Sequence, residues 1–197
     1  MQAAIGVRAM IVSGCSEVNS TSGAAEQPGF ADTIVAAMSI TVREMRPEDA
    51  RRFLEIHHAA VRGIAAGDYP VSVVDAWARP ITEEVIERFL VNRDREVRLV
   101  AEIDGEPVGI GAVVVANAEL RACYVAPAAA RRGVGSALVA EIERIARAHR
   151  LDHLHLESST TGEPFYSALG YQVESRGELF LAPGVPMTAV RMRKRLS

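Results

Sequence analysis

Residues 130–137 contain the residue types and spacing that point most directly to chemistry. Gly133 and Gly135 would let the backbone approach a ligand closely, because glycine has no Cβ. A helix that begins here would present unpaired N–H groups, and its dipole would attract an anion. Arg131 and Arg132 would add charge-assisted hydrogen bonds to the same anion. A phosphate-containing ligand is the leading interpretation, and a tight turn from strand to helix is the alternative.

Two common nucleotide-binding motifs do not match this loop. A dinucleotide fingerprint requires a small residue where Leu138 stands, and an acidic ribose ligand about 20 residues further on. A P-loop requires Gly-Lys-Ser or Gly-Lys-Thr, which the sequence lacks. A nucleotide-dependent oxidoreductase therefore remains a weak hypothesis that depends only on Gly133 and Gly135.

Several segments share the order and residue types of one known family. They are residues 120–125 with Pro127, residues 131–138, residues 164–166 and residues 169–171. Together they resemble the GNAT superfamily of acetyl-CoA-dependent N-acetyltransferases, and the resemblance covers roughly residues 39–195. The family's pyrophosphate loop follows the pattern Gln/Arg-x-x-Gly-x-Gly/Ala, and here Ala130 replaces the first residue. Backbone amides do not depend on that side chain, so the departure weakens one contact more than the site.

The resemblance implies a mixed α/β (α+β) fold, with a mostly antiparallel sheet flanked by helices. It implies that strand 120–125 splays from strand 154–157 and that pantetheine lies in the gap, bonded to main-chain groups of Cys123 and Val125. It also implies an amide of Tyr124 or Val125 on the thioester oxygen, where negative charge develops during attack by an amine. The residues implied to bind acetyl-CoA are Cys123, Tyr124, Val125, Arg131, Arg132, Gly133, Val134, Gly135, Ser136 and Ala137.

Tyr166 matches the family tyrosine that protonates the departing CoA thiolate. A phenol with an ordinary pKa of about 10 is a suitable donor to a thiolate, and such help contributes roughly 10²- to 10⁴-fold to the rate. Taken alone, Phe165 and Tyr166 are better explained by packing of a short helix on the sheet. Beside the glycine loop, the catalytic interpretation is favoured.

A base must take the proton from the attacking amine, directly or through water. Glu119, at the start of the central strand, and Glu157, at the end of its splayed neighbour, are the candidate bases. Taken alone, each carboxylate is better explained as a solvated strand end. Acceptor contacts are expected from the loop around residues 67–77, where Tyr69 and Trp77 either line a pocket or simply pack.

The elements around these residues are predicted from hydrophobic periodicity. A short strand and several helices come first, and a three-strand meander begins at Val97. In the last strand of the meander, Leu120, Ala122 and Tyr124 are predicted to share one face. Residues 133–150 form an amphipathic helix, followed by a strand, a short helix and a final hairpin. This order predicts a largely antiparallel sheet rather than a doubly wound one.

The composition describes one ordinary domain or slightly more. The chain has 197 residues, and its 22 basic and 25 acidic side chains give a net charge of −3. This balance does not favour nucleic-acid binding, and no apolar run approaches the roughly 20 residues that span a bilayer. Cys15 and Cys123 form no disulfide framework, which predicts a reducing, cytoplasmic location. The histidines lack ligand spacing, so no metal is expected.

The first 37 residues are predicted to be a flexible N-terminal extension, and residues 38–197 a single N-acetyltransferase domain. The first segment mixes small and polar residues without a sustained period. Met38 opens a pattern of strand and then helix, and one hypothesis is that translation starts there. A secretory leader is a weaker interpretation, because the apolar run before Cys15 is too short.

The leading hypothesis is an enzyme that transfers an acetyl group from acetyl-CoA to a primary amine by direct attack, with Tyr166 as general acid. The competing hypothesis is a non-catalytic acyl-CoA-binding sensor or interaction module with the same fold, motivated by Ala130 and by the lack of an obvious base. The sequence does not identify the acceptor amine. A homodimer is compatible with the resemblance, because dimers are common in the family.

Overall fold

The computed structural model describes residues 39–197, so the extension predicted over residues 1–37 lies outside the described residues. The strands are β1 (Ile40–Glu44), β2 (Val97–Ile103), β3 (Glu106–Val114), β4 (Glu119–Val125), β5 (His153–Ser158), β6 (Gln172–Ala182) and β7 (Val185–Arg195). The α-helices are α1 (Ala50–Gly63), α2 (Val71–Trp77), α3 (Glu83–Leu90), α4 (Val134–Ala148) and α5 (Glu163–Ala168). The predicted order of elements is confirmed.

The seven strands form one sheet in the order β1-β2-β3-β4-β5-β7-β6. All neighbouring strands are antiparallel except β4 and β5, which run parallel. Parallel neighbours need a crossover connection, and α4 supplies it on one side of the sheet. The mixed, mostly antiparallel sheet flanked by helices is therefore confirmed.

The two sides of the sheet carry separate hydrophobic cores. On one side, α4 packs on the sheet in what we call the α4 core, which includes Leu138, Ile142 and Leu154. On the other side, α1 and α2 cover the sheet in the α1 core, which includes Phe53 and Ile110. Each core buries one face of its helices, on which apolar residues recur at helical spacing.

The prediction that Leu120 shares a face with Ala122 and Tyr124 is wrong. The pairing of β4 with β3 skips Arg121, which forms a β-bulge. An extra residue reverses the alternation of side chains along the strand. Leu120 therefore lies in the α4 core with Cys123, whereas Ala122 and Tyr124 lie in the α1 core.

A glycine in β3 determines how closely the start of α4 approaches the sheet. A Cβ at Gly109 would lie 2.5 Å from Cγ1 of Val134 and 3.1 Å from Cδ1 of Leu138. Carbon atoms do not approach one another this closely, so any side chain at Gly109 would push α4 away. Because Gly109 has no side chain, the first turn of α4 can pack against the sheet beside the end of β4.

Candidate active site

Strands β4 and β5 are hydrogen-bonded neighbours at one end only. In the described part of the chain, their one register pair is Glu119 with His155, and the His155 N–H donates to the Ala118 carbonyl oxygen at 2.9 Å. Beyond this pair, β4 continues along β3 to Val125, whereas β5 pairs with β7 over its whole length. The two strands therefore diverge, as the resemblance implied, and the gap opens toward their C-terminal ends.

The main-chain groups of β4 that face this gap follow from the alternation of an antiparallel ladder. The Ala126 N–H donates to the Val108 carbonyl oxygen, on the β3 side, at 2.8 Å. Successive residues point in opposite directions, so the N–H groups of Cys123 and Val125 face the gap and that of Tyr124 faces β3. Two backbone donors of β4 are thus directed toward the space that β5 leaves.

The chain passes from β4 to α4 through a loop with two left-handed residues. Arg131 has φ +64°, and Gly133, immediately before the helix, has φ +84°. Glycine suits the second position because it has no Cβ to clash. The Ala137 N–H donates to the Gly133 carbonyl oxygen at 3.0 Å. The N–H groups of the preceding residues have no acceptor within the helix, so they point out of its end.

A pocket of about 200 Å³ lies at the start of α4. Its wall combines the end of β4, the loop, the first turn of α4 and one ring from α5. The lining residues are Val125, Ala129, Ala130, Arg131, Gly133, Val134, Gly135, Ser136 and Phe165. Most of the predicted loop residues therefore surround one pocket, whereas Arg132 and Ala137 do not line it.

Gly135 and Phe165 meet at the wall of this pocket. A Cβ at Gly135 would lie 3.1 Å from Cζ and 3.3 Å from Cε2 of the Phe165 ring. The close approach of α5 to α4 therefore requires glycine at this position. The sequence predicts Phe165 only as a packing residue, and its place in the pocket wall is found in the structure. The sequence signal that could have assigned Phe165 to the site is its position directly before Tyr166.

Tyr166 is fully buried in α5, and its hydroxyl has no hydrogen-bond partner among residues 39–197. Burial raises the pKa of the phenol well above its usual value, and Cys123, Tyr171 and Tyr124 raise it further. Tyr166 belongs to the α4 core together with Cys123, so its ring lies on the α4 side of the sheet. A buried hydroxyl without a partner is costly, which makes this one a candidate for a ligand contact.

The thiol of Cys123 packs between β4 and α4. The side chain is fully buried, and its sulfur lies 3.8 Å from the Gly135 carbonyl oxygen, to which it donates. Burial raises the pKa of this thiol, which disfavours the thiolate. Cys123 is therefore a small buried side chain, and only its main-chain groups face the gap.

The two candidate bases lie at different levels of the gap. Both carboxylate oxygens of Glu119 accept hydrogen bonds from the Arg121 guanidinium, at 2.7 and 2.6 Å. Glu119 is thus occupied, and it lies at the end where β4 and β5 still pair. Glu157 lies opposite Arg191 of β7, beyond His155, where β5 has left β4. Of the two, Glu157 is closer to the divergent end.

Tyr69 and Trp77 are buried side chains of the α1 core, with exposed fractions of 9% and 8%. Their rings meet edge to face at a centroid distance of 5.9 Å. The Tyr69 hydroxyl donates to the Thr188 carbonyl oxygen at 3.0 Å and accepts the Thr160 N–H at 2.8 Å. The Trp77 indole N–H donates to the Tyr124 hydroxyl at 3.3 Å. Both polar atoms therefore bind protein groups, and neither residue lines the pocket beside α4.

His57 is a buried histidine on the α1 side of the sheet. Its Nε2 has no hydrogen-bond partner within the described residues, and burial lowers its pKa to about 3. The neutral ring packs edge to face on Tyr124 at a centroid distance of 4.6 Å. Across residues 39–197, no three His, Cys, Asp or Glu side chains come together as a group that could hold a metal ion. In the same residues, no helix is long and apolar enough to cross a membrane.

The family comparison agrees with the fold and the loop. Residues 43–196 match the family model described as an acetyltransferase (GNAT) domain. The chain belongs to the GNAT family. The match lies inside the predicted domain of residues 38–197, whose boundary stays a prediction. A GNAT domain replaces the weak hypothesis of a nucleotide-dependent oxidoreductase.

Similar proteins include one curated relative and several solved structures. An uncharacterized N-acetyltransferase of Methanocaldococcus jannaschii is 29% identical over 144 residues, a match that covers 67% of this chain and 60% of the relative. The chain thus matches less than two thirds of that protein's length. A GCN5-related N-acetyltransferase from Rhodopseudomonas palustris is 26% identical with a TM-score of 0.74, over 81% of this chain and 98% of that one. The PaiA N-acetyltransferase from Thermoplasma acidophilum, in complex with coenzyme A, shares the fold with 21% identity and a TM-score of 0.64, over 80% of this chain and 99% of that one.

Proposed function

We propose that this GNAT protein is an N-acetyltransferase that transfers the acetyl group of acetyl-CoA to a primary amine by direct attack. One observation carries the proposal. A pocket at the start of α4 is lined by Val125, at the end of β4 where β5 has diverged, and by Phe165 of α5, whose neighbour Tyr166 has a buried hydroxyl without a partner in the described residues. The coenzyme A complex of the Thermoplasma acidophilum relative, which shares the fold, supports the choice of cofactor.

The pyrophosphate of acetyl-CoA would bind in the pocket. The outward N–H groups at Val134, Gly135 and Ser136 are suitable donors, and the helix dipole favours an anion there. Arg131 and Arg132 would add positive charge from the preceding loop. Because the donors belong to the backbone, Ala130 at the first position of the family pattern does not remove them.

Pantetheine would extend from the pocket along the free edge of β4. Val125 lines the pocket, so its main-chain groups are reached first. Cys123 is the next residue whose N–H faces the gap, and its side chain lies in the α4 core together with Tyr166. We therefore assign the thioester oxygen to the Cys123 N–H in place of Tyr124 or Val125, since Tyr124 is directed to β3. A preoriented donor of this kind is worth about 2.7 to 4 kcal/mol in the transition state.

The reaction would then proceed in a balanced sequence. The neutral amine attacks the thioester carbon, a C–N bond forms, and the carbonyl oxygen takes up negative charge opposite the Cys123 N–H. The C–S bond breaks as the carbonyl re-forms, and Tyr166 gives its proton to the departing sulfur. The raised pKa of Tyr166 keeps the phenol protonated until the thiolate appears. Solvent returns a proton to the tyrosine after the products leave.

The proton lost by the amine would go to Glu157, directly or through water. Glu157 lies where β5 has diverged from β4, whereas Glu119 lies at the end where the two strands still pair. Glu157 is therefore the first candidate base and Glu119 the second.

The proposal is tested with the wild-type protein in two steps. Acetyl-CoA is titrated calorimetrically, and CoA release is then measured with a panel of amino acids, polyamines, aminoglycosides and peptides with free N-termini. We expect saturable acetyl-CoA binding and CoA release that depends on an amine. Binding without transfer to any amine would support the non-catalytic acyl-CoA sensor, and absence of binding would contradict both functions.

Two further expectations belong to this proposal. A cytoplasmic location is proposed from cysteine usage, and Cys123 is a free, buried thiol. A homodimer is proposed from the family resemblance alone. Fractionation and light scattering, respectively, test them.

A further inference from the structure

A chain of aromatic contacts crosses from β4 to the loop that follows β5. In β4, the Tyr124 hydroxyl accepts the indole N–H of Trp77 at 3.3 Å. The Trp77 ring packs edge to face on Tyr69 at 5.9 Å, and the Tyr69 hydroxyl accepts the backbone N–H of Thr160 at 2.8 Å. We call Tyr69, Trp77 and Tyr124 the aromatic bridge. It connects the two sides of the gap where backbone pairing between β4 and β5 has ended.

Further contacts secure the far end of the aromatic bridge. The Tyr69 hydroxyl donates to the Thr188 carbonyl oxygen of β7 at 3.0 Å, and it accepts a hydrogen bond from the Thr160 hydroxyl at 3.1 Å. The neighbouring Thr161 hydroxyl donates to the carboxylate of Asp68, directly before Tyr69. The segment before α2 is therefore tied at two adjacent residues to the loop after β5.

The loop after β5 also determines where α5 begins. The Ser159 side chain is fully buried, and its hydroxyl accepts the Gly162 N–H at 3.0 Å. The Ser159 carbonyl oxygen accepts the Glu163 N–H at 3.1 Å, and the Tyr166 N–H donates to the Gly162 carbonyl oxygen at 3.2 Å. A displacement of this loop would therefore move α5 together with Tyr166.

We propose that Tyr69 and Trp77 are positioning residues that set the width of the gap and so fix the start of α5, the helix that carries Tyr166. The proposal rests on the proposed function of Tyr166 as proton donor. It replaces the predicted role of Tyr69 and Trp77 in acceptor binding, because both rings are buried and both polar atoms already bind protein groups.

Proton transfer gives this positioning its importance. A displacement of about 1 Å at a reacting group can cost about 100-fold in rate. Tyr69→Phe keeps the ring on Trp77 but removes the hydroxyl that both the Thr160 N–H and the Thr188 carbonyl oxygen use. The loop before α5 would then lose its direct bond to the aromatic bridge, while the pocket at the start of α4 is left unchanged.

The experiment compares Tyr69→Phe with the wild-type protein in the amine-dependent CoA-release assay. We expect kcat to fall at least about tenfold and KM for acetyl-CoA to stay within about twofold. Hydrogen exchange of a peptide spanning residues 159–163 should become faster. Trp77 is the one tryptophan of the chain, so its fluorescence emission should also change.

Thr160→Val is the matched control. It removes the hydroxyl contact with Tyr69 but keeps the backbone N–H that makes the shorter bond, so kcat and exchange should stay close to wild type. Trp77→Phe is a second variant, in case Tyr69→Phe does not fold. It removes the N–H donor to Tyr124 and should lower kcat with the same unchanged KM.

The outcomes separate the two proposals. An active wild type with unchanged kcat and exchange in folded Tyr69→Phe would overturn the aromatic bridge alone. A parallel fall in acetyl-CoA affinity and kcat would also overturn it, because the variant would then have acted on the cofactor pocket. A wild type that transfers acetyl to no amine would contradict the proposed function instead.

Discussion

The two sides of the sheet differ in whether the space beside the gap between β4 and β5 is open or filled. On the α4 side, glycines leave room, and the pocket presents backbone N–H groups and an arginine. On the α1 side, aromatic rings fill the space, and their hydroxyl and indole groups bind one another and the backbone. Acetyl-CoA binding is therefore expected on the α4 side, where glycines leave space. Positioning of Tyr166 is expected from the α1 side, where the polar atoms of the large side chains already bind protein groups.

This contrast assigns different consequences to substitutions on the two sides. Added atoms on the α4 side should reduce acetyl-CoA affinity, because they occupy the pocket or displace α4. Removed polar atoms around the gap should reduce turnover while affinity is kept. Gly63 and His57, which lie on the α1 side, test how far the two sides are independent.

The largest effect is expected at Tyr166, which lies in the α4 core. Tyr166→Phe keeps the ring but removes the proposed proton donor, so kcat should fall roughly 10²- to 10⁴-fold. Acetyl-CoA affinity, measured calorimetrically, should change little. Tyr171→Phe is the control, because this buried ring lies 5.4 Å from that of Tyr166 and has no assigned catalytic role. Equal activity of the two variants would remove Tyr166 from the mechanism.

The second largest effect is expected at Gly135, on the α4 side. In Gly135→Val, the new Cβ would press on the Phe165 ring and the methyl groups would enter the pocket. Overpacking costs about 1–3 kcal/mol, and a loss of that size in binding corresponds to about 5- to 150-fold in the dissociation constant of acetyl-CoA. Gly177→Val in β6 is the control, since no atom lies within 4 Å of its added Cβ. Unchanged affinity in Gly135→Val would show that acetyl-CoA binds elsewhere.

The third prediction concerns pH and the α1 core. The pKa of His57 is about 3 when folded and about 6.5 in an unfolded chain, so the unfolded state binds more protons between these values. Stability is therefore complete above about pH 6.5 and is lost as the pH falls toward about 3. Between pH 7 and pH 5 the loss from His57 should be about 2 kcal/mol.

Urea unfolding at both pH values measures this loss. His57→Phe should abolish most of it, whereas His58→Gln, at the half-buried neighbouring position, should keep it. Equal pH dependence in wild type and His57→Phe would contradict the buried neutral histidine. Acetyl-CoA affinity at pH 7 should be the same in both proteins, because His57 packs on Tyr124 on the α1 side of the sheet.

The smallest effect tests the link between the two sides. A Cβ at Gly63, at the end of α1, would lie 2.6 Å from Cγ of Pro127, which directly precedes the pocket loop. Gly63→Ala should therefore shift the loop and weaken acetyl-CoA binding about fivefold, or about 1 kcal/mol. Gly67→Ala has nothing within 4 Å of its added Cβ and should bind normally. Equal affinities would show that α1 does not support the loop.

The α4 side could be predicted from sequence because its signals are local. Gly133 and Gly135 stand directly before and within the helix that they start, and the apolar residues of α4 recur at helical spacing. The family pattern added Tyr166 through a short motif. Phe165 was not assigned to the pocket, because only the approach of α5 to Gly135 brings its ring there.

The α1 side could not be predicted in the same way, because its contacts join distant parts of the chain. Tyr69 meets Thr160 and Thr188, and no local pattern announces either partner. The sequence around Leu120 and Ala122 does not reveal the bulge at Arg121, yet the bulge places these two side chains on opposite faces of β4. From the sequence, Tyr69 and Trp77 could either line a pocket or pack, and only the fold shows that both rings are buried in the α1 core.

A crystal structure of the wild-type protein with acetyl-CoA would show directly whether the cofactor binds in the gap between β4 and β5. We expect pyrophosphate at the N–H groups of Gly135 and Ser136 and the thioester oxygen at the Cys123 N–H. We also expect the Tyr166 hydroxyl within hydrogen-bond distance of the sulfur. Acetyl-CoA bound outside the gap, or a Tyr166 hydroxyl still buried away from the sulfur, would contradict these expectations.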